Sequence, residues 1–193
     1  MGYLTPKELE GIIKSGAIVG LKVHTSAGKL RVDSESLDDF ASLAIDQDVP
    51  IVFHCSATTQ NFTHPDYFRR LKEKHPDLKI VCAHYGGLNE KYMPENIKLL
   101  NEYPNIYLNT AGLSGEITRR QFEVDPSSIY HEDNPERWVN EFLQTIEPIQ
   151  DKVVFGSDYP ELKFTIHPIG KAKEEIQQKL LYINPAKIFK LGI

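Results

Sequence analysis

Cysteine is scarce in this chain. The 193 residues contain two, Cys55 and Cys82, each inside an apolar run. That argues against a disulfide framework and makes a reducing cytoplasm the expected compartment. Long apolar runs are missing too. No stretch reaches the roughly 18 residues that a membrane helix needs. The N-terminus, "MGYLTPKELEG", lacks the basic-then-apolar pattern of a secretory leader and reads as the start of a helix over about 5–15. Positive charge is not in excess: the formal net charge of -5 argues against nucleic acid or an anionic membrane surface as partner. Neither the GxGxxG nor the P-loop pattern follows any apolar run, so nucleotide binding has no support. What remains is ordinary for a soluble globular protein, 40% hydrophobic and 25% charged, and its length suits one domain over 1–193.

Short apolar runs alternate with amphipathic stretches. The runs are "AIVGLKVH" (17–24), "PIVFHC" (50–55), "LKIVCAH" (78–84), "NIYLNT" (105–110) and "KVVFGSD" (152–158). Each is short, rich in β-branched residues and bounded by polar residues or proline, as a strand buried on both faces should be. Between them, Leu37, Phe40, Ala41, Ala44 and Ile45 follow a helical stripe over 36–47, with Ser34 as its expected N-cap. Trp138, Val139, Phe142, Leu143 and Ile146 form a similar stripe over 135–147. Pro65 and Pro94 fall at expected first-turn positions. In "NPAKIFKLGI", Asn184 is the expected cap and Pro185 the first helical residue. Strand–helix alternation of this kind gives an α/β fold with about five parallel strands and outer helices. One segment, 111–134, has no periodicity, and loops of that length are usually functional lids or disordered.

In parallel α/β folds chemistry gathers at the C-terminal ends of the strands. The side chains there are Lys22, His24, His54, His84 and Asp158. Simple alternation puts His54 with Val52, His84 with Cys82 and Ile80, and Lys22 with His24. Taken singly, each has an ordinary structural role. A strand-end histidine is commonly just hydrogen-bonded, a lysine snorkels, and an aspartate between Gly156 and Pro160 opens a turn or caps a helix. The cysteines read as small buried hydrophobes, and His64, His75, His131 and His167 as surface residues. Together, His54, His84 and Asp158 make the set of three that a catalytic zinc or similar divalent ion takes, with one position open for water. Asp158 is alternatively a base that orients or deprotonates that water.

These pieces resemble the amidohydrolase superfamily, in its amidohydrolase-related branch of TIM-barrel metal-dependent hydrolases and decarboxylases. "VGLKVHT" is similar to the fourth barrel strand, "PIVFHCS" to the fifth, "LKIVCAHYGG" to the sixth, "YPNIYLNTAG" to the seventh and "KVVFGSDYP" to the eighth, with "INPAKIFKL" as the closing helix. The resemblance implies a (β/α)8 framework and marks His54, His84 and Asp158 as metal ligands or catalytic residues. It places Lys22 where some relatives carry a carboxylated lysine between two metals.

One family feature is missing. The branch opens with a His-x-His pair on its first strand, and that pattern occurs nowhere in the chain. The expectation is therefore an incomplete barrel matching the C-terminal five-eighths of the family: a truncated product, a fragment or a genuine half-barrel. Its edges at "GLKVH" and "KVVFG" would be unpaired, which favours a homo-oligomer. The rival is cover from within, by the helix at 5–15 and the segment 111–134. The implied activity is hydrolysis of a small amide, ester or lactone, impaired by the missing pair, with metal bound weakly or not at all. The alternatives are decarboxylation of an aromatic acid and a non-catalytic barrel remnant.

Overall fold

The structure, a computed structural model, describes residues 4–55, 62–84, 93–111, 140, 143–157, 166 and 169–192. Five strands, β1 (Leu21–Val23), β2 (Ile51–Phe53), β3 (Ile80–Cys82), β4 (Ile106–Asn109) and β5 (Val153–Val154), form one sheet in chain order. Every pair is parallel. The strands are shorter than their apolar runs: β1 takes up the end of its run and β5 the start. The expected segment 111–134 lies outside the described residues, apart from Ala111, as do Trp138, Val139 and Phe142. Among the described residues no helix is long and apolar enough to cross a membrane.

Register sorts the side chains into rows. Leu21, Ile51, Ile80 and Ile106 stand side by side, as do Val23, Phe53, Cys82, Leu108 and Val153. Both rows face the helices and belong to the main core with Leu37, Phe68, Leu71 and Leu99. The pleat sends the alternate row, Lys22, Val52, Val81 and Tyr107, to the other side.

Local chemistry explains the helices. In α1 (Pro6–Lys14), Thr5 and Glu8 form a capping box and Pro6 opens the first turn. After β1 comes a single helical turn, α2 (Thr25–Gly28). The stripe over 36–47 starts as a 3-10 turn (Glu35–Leu37) and continues as α3 (Asp38–Asp46). Ser34 precedes that turn, but its side chain makes no capping hydrogen bond, which corrects the expectation. α4 (Pro65–Lys74) begins at Pro65 as expected, capped by the His64 ring accepting from Asp66 N–H. α5 is Met93–Glu102, with Pro94 in its first turn. Arg69 of α4 reaches Glu102 of α5 at 2.7 Å and ties the two together. His75 is no surface residue: its side chain is 13% exposed and sits 3.0 Å from Asp38.

The C-terminal unit departs from the expected outer helix. It runs from α6 (Glu174–Gln178) through a π turn (Lys179–Ile183) into α7 (Asn184–Phe189). Ile188 is buried with Val81, Tyr107 and Val154, and Val52 and Phe189 pack against that cluster, so α7 covers part of the sheet side opposite the other helices. Asn184 does not cap α7. It is helical, and its carboxamide nitrogen donates to the Gln150 carbonyl at 2.7 Å and the Val153 carbonyl at 2.6 Å. Phe155 N–H donates to the Leu180 carbonyl at 2.9 Å. Since Val154 turns its own carbonyl toward Thr110, the Val153 carbonyl and the Phe155 N–H face the outer edge of β5, where this unit meets them. The β5 edge, expected to be unpaired, is thus sealed from within. Among the described residues, β1 pairs with β2 alone. Asn184 is 4% exposed. Its replacement by alanine strands buried carbonyls and is expected to cost about 1–3 kcal/mol in urea unfolding. A cost near zero would mean that Asn184 does not seal the edge.

Candidate functional site

Three histidines meet at the ends of β1, β2 and β3. His54 directly follows β2. Its N–H donates to the Val23 carbonyl at 2.9 Å, and its carbonyl accepts from the fully buried Thr25 hydroxyl at 2.6 Å. Both ends of its peptide are therefore fixed by the chain leaving β1. His24 caps α2 with its ring, Nδ1 accepting from Ala27 N–H at 3.2 Å. In the neutral ring this leaves the proton on Nε2. His24 then lies flat against His54, ring centroids 3.9 Å apart at 17°.

His84 closes the group. Its Nε2 stands 2.9 Å from His54 Nδ1, and the two rings meet edge to face at 72°. Strict alternation would have put His84 on the helix side with Ile80 and Cys82. Its φ of 54° turns it back toward His54. Lys22 is exposed and lies in the same cross-strand row as Val52. The structure thus brings His54 and His84 together, adds His24 as a stacking partner and leaves Lys22 in electrostatic reach of His54. Asp158, like His131 and His167, lies outside the described residues.

The surroundings keep His54 uncharged. Burial comes first, then the charges of His84, His24 and Lys22, and together they push its pKa from 6.5 to about 3. A neutral imidazole is the form that binds a metal. The cysteines take no part. Both are free and buried in the helix-side core, and hydrogen bonding to Cys55, then burial, raises the Cys82 thiol well above its usual range.

Two imidazole nitrogens on a tetrahedral zinc lie about 3.3 Å apart, given zinc–nitrogen bonds of about 2.0–2.1 Å. To share an ion, His54 Nδ1 and His84 Nε2, now hydrogen-bonded at 2.9 Å, have to separate by a few tenths of an ångström, turn their lone pairs from each other toward one point and lose the proton between them. The pair fits a divalent ion. Among the described residues, no group of three or more His, Cys, Asp or Glu side chains is arranged to hold one.

The sequence reading passed over Asn109, at the end of β4. Its Oδ1 accepts from His84 N–H at 3.2 Å and from Ala111 N–H at 3.1 Å. The available signal was a carboxamide closing an otherwise apolar run, "NIYLN".

No curated protein matches the sequence. Solved structures do. An uncharacterized TIM-barrel protein from Bordetella bronchiseptica is 19% identical with a TM-score of 0.66, covering 98% of this chain and 64% of its own. Dihydroorotase from Campylobacter jejuni is 18% identical with a TM-score of 0.64, covering 100% and 64%. A dihydroxybenzoic acid decarboxylase from Polaromonas, with bound manganese and an inhibitor, 2-nitroresorcinol, is 17% identical with a TM-score of 0.60, covering 97% and 65%. At these identities the likeness establishes the fold: five parallel strands of an incomplete TIM barrel. The chain spans 64% of the length of the first two. The family described as Amidohydrolase matches residues 4–191, from the residue before the Thr5 cap to two residues past the end of α7, so the sheet and its histidine pair fall inside one family match, and the chain belongs to the amidohydrolase family.

Proposed function

We propose that the chain serves a metal-dependent hydrolase acting on a small amide, ester or lactone. The supporting observation is the approach of His54 Nδ1 and His84 Nε2 to 2.9 Å at the C-terminal end of the sheet. On this reading His54 and His84 hold a divalent ion such as zinc, with Asp158 as a third ligand or as the base and Lys22 as a further candidate ligand. When bound, the ion would supply Lewis-acid polarisation of the scissile carbonyl and lower the pKa of a water molecule toward neutrality. The protein's residues do the rest. His54 offers an unprotonated lone pair down to acidic pH because its surroundings disfavour the imidazolium. His24 stacks on it and restricts its rotation. Where Asp158 is the base and not a ligand, it accepts the proton of the attacking water. The same donor set suits the decarboxylation of an aromatic acid. The manganese-bound decarboxylase of like fold makes that the second reading.

The reading includes a small-molecule substrate, no nucleic-acid or membrane partner, a cytoplasmic location and a homo-oligomer built at the β1 edge. Metal uptake tests it. We expect the purified chain to carry less than one zinc per chain, and His54→Ala and His84→Ala each to weaken zinc affinity by at least about tenfold by elemental analysis and titration. Unchanged uptake in both variants removes the pair as ligands. Stoichiometric zinc in the native chain would instead show that the site needs no further ligands to be strong. Carbon dioxide release from aromatic acids without hydrolysis of amides or esters selects the second reading.

A further inference from the structure

We propose that Asn109 is a positioning residue for the histidine pair, and that Gly156 is the space that admits it. The proposal rests on the reading of His54 and His84 as a metal pair.

The φ of 54° at His84 is a backbone state that non-glycine residues keep only when their surroundings impose it. That state is also what brings the ring to His54. Asn109 imposes it. Its Oδ1 takes the His84 N–H and the Ala111 N–H together, so one oxygen ties the end of β3 to the end of β4. The other end of the carboxamide rests on Gly156, just beyond β5. A β-carbon added at Gly156 would stand 2.8 Å from Asn109 Nδ2, 3.0 Å from its Cγ and 3.2 Å from Ala111 Cβ. Gly156 has no left-handed φ, so space and not backbone freedom is what requires glycine there.

Thr110 completes the joint. Its N–H donates to the Val154 carbonyl at 3.0 Å, and its Oγ1 accepts from Gly156 N–H at 3.1 Å. The glycine is thereby held against the carboxamide. Three strand ends, β3, β4 and β5, meet through one side chain. Gly156 is also two residues before Asp158, the candidate base, in sequence. Asparagine suits the position because its Oδ1 accepts from two N–H groups at once.

The test uses the full chain as Asn109→Ala, Gly156→Ala and Asn109→Asp, the last keeping the acceptor oxygen. Three readouts are needed: hydrogen exchange at the His84 amide, imidazole nitrogen-15 shifts of His54 and His84, and cobalt(II) affinity from its visible absorption. Thermal unfolding of the metal-free chains reports folding. We expect His84 exchange to quicken about tenfold in Asn109→Ala and Gly156→Ala. Cobalt affinity should fall about tenfold or more in both. Asn109→Asp should restore both. If Asn109→Ala does not fold, Gly156→Ala against the native chain and Asn109→Asp carries the comparison. A faster-exchanging amide with native cobalt affinity makes Asn109 merely structural and overturns the proposal, as does native exchange in both variants. If the native chain takes up no cobalt, the metal reading falls by itself. The imidazole shifts then decide: displaced in Gly156→Ala and native-like in Asn109→Asp upholds the positioning role, and unmoved in every variant ends it.

Discussion

Alanine at Phe68 is expected to remove about 3–5 kcal/mol of unfolding free energy. Phe68 of α4 and Phe53 of β2 are each 1% exposed and meet edge to face, ring centroids 5.7 Å apart at 77°. Truncating either ring takes a large apolar area out of the core and leaves a cavity that the sheet cannot close, because register fixes Phe53 between Val23 and Cys82. Against a typical total of about 5–15 kcal/mol, a loss of this size leaves the chain near its folding threshold. Urea midpoints measure it. The double variant should lose less than the sum of the two, since the rings share one contact. A loss below about 1 kcal/mol at Phe68 would show that the site collapses freely, contrary to a core fixed on both sides. Phe53 also precedes His54, so Phe53→Ala should loosen the histidine pair in variants that remain folded.

Acid should unfold the chain through His54. Its pKa is about 3 in the folded protein and near 6.5 when unfolded. Between those values the unfolded chain takes up a proton that the native ring refuses. Stability is therefore level above pH 6.5 and falls as the pH drops from 6.5 toward 3. One proton sets a limiting slope of about 1.4 kcal/mol per pH unit, and solvent reaching the half-buried ring reduces the realised slope well below that. Urea midpoints at a series of pH values, in the native chain and in His54→Asn, measure the effect. The asparagine variant should show a flatter profile over that window. Parallel profiles would assign the acid sensitivity to other groups.

Much of the frame was legible in the residues. Apolar runs bounded by polar residues and proline located all five strands, and Leu37, Ala41 and Ala44 identified the core face of the 3-10 turn and α3. The row of Ile51 and Phe53 facing the helices, with Val52 opposite, followed from a two-residue period. Alternation failed at His84, because it assumes an extended backbone and the chain there turns left-handed. That turn depends on Asn109, 25 residues away, and no local pattern reports it. The carboxamide of Asn184 was misread for a similar reason. A cap and a long-range donor look alike until the carbonyls of Gln150 and Val153 are brought beside it. His75 was read as surface because its neighbours are polar, yet α3 supplies Asp38 across the gap.

The sealed edge at β5 has a consequence for how copies of this chain can join. A sheet open on both sides can extend indefinitely, each molecule offering one edge and receiving at the other, which is the geometry of a fibre. Here Asn184 and Leu180 already occupy the backbone groups on one side, so among the described residues the edge left for strand pairing is that of β1. A second molecule arriving there presents its own β1, and the pairing ends with that union. Growth by this route would close at two, related by a two-fold axis, and a filament would first have to pull the C-terminal helices away from β5.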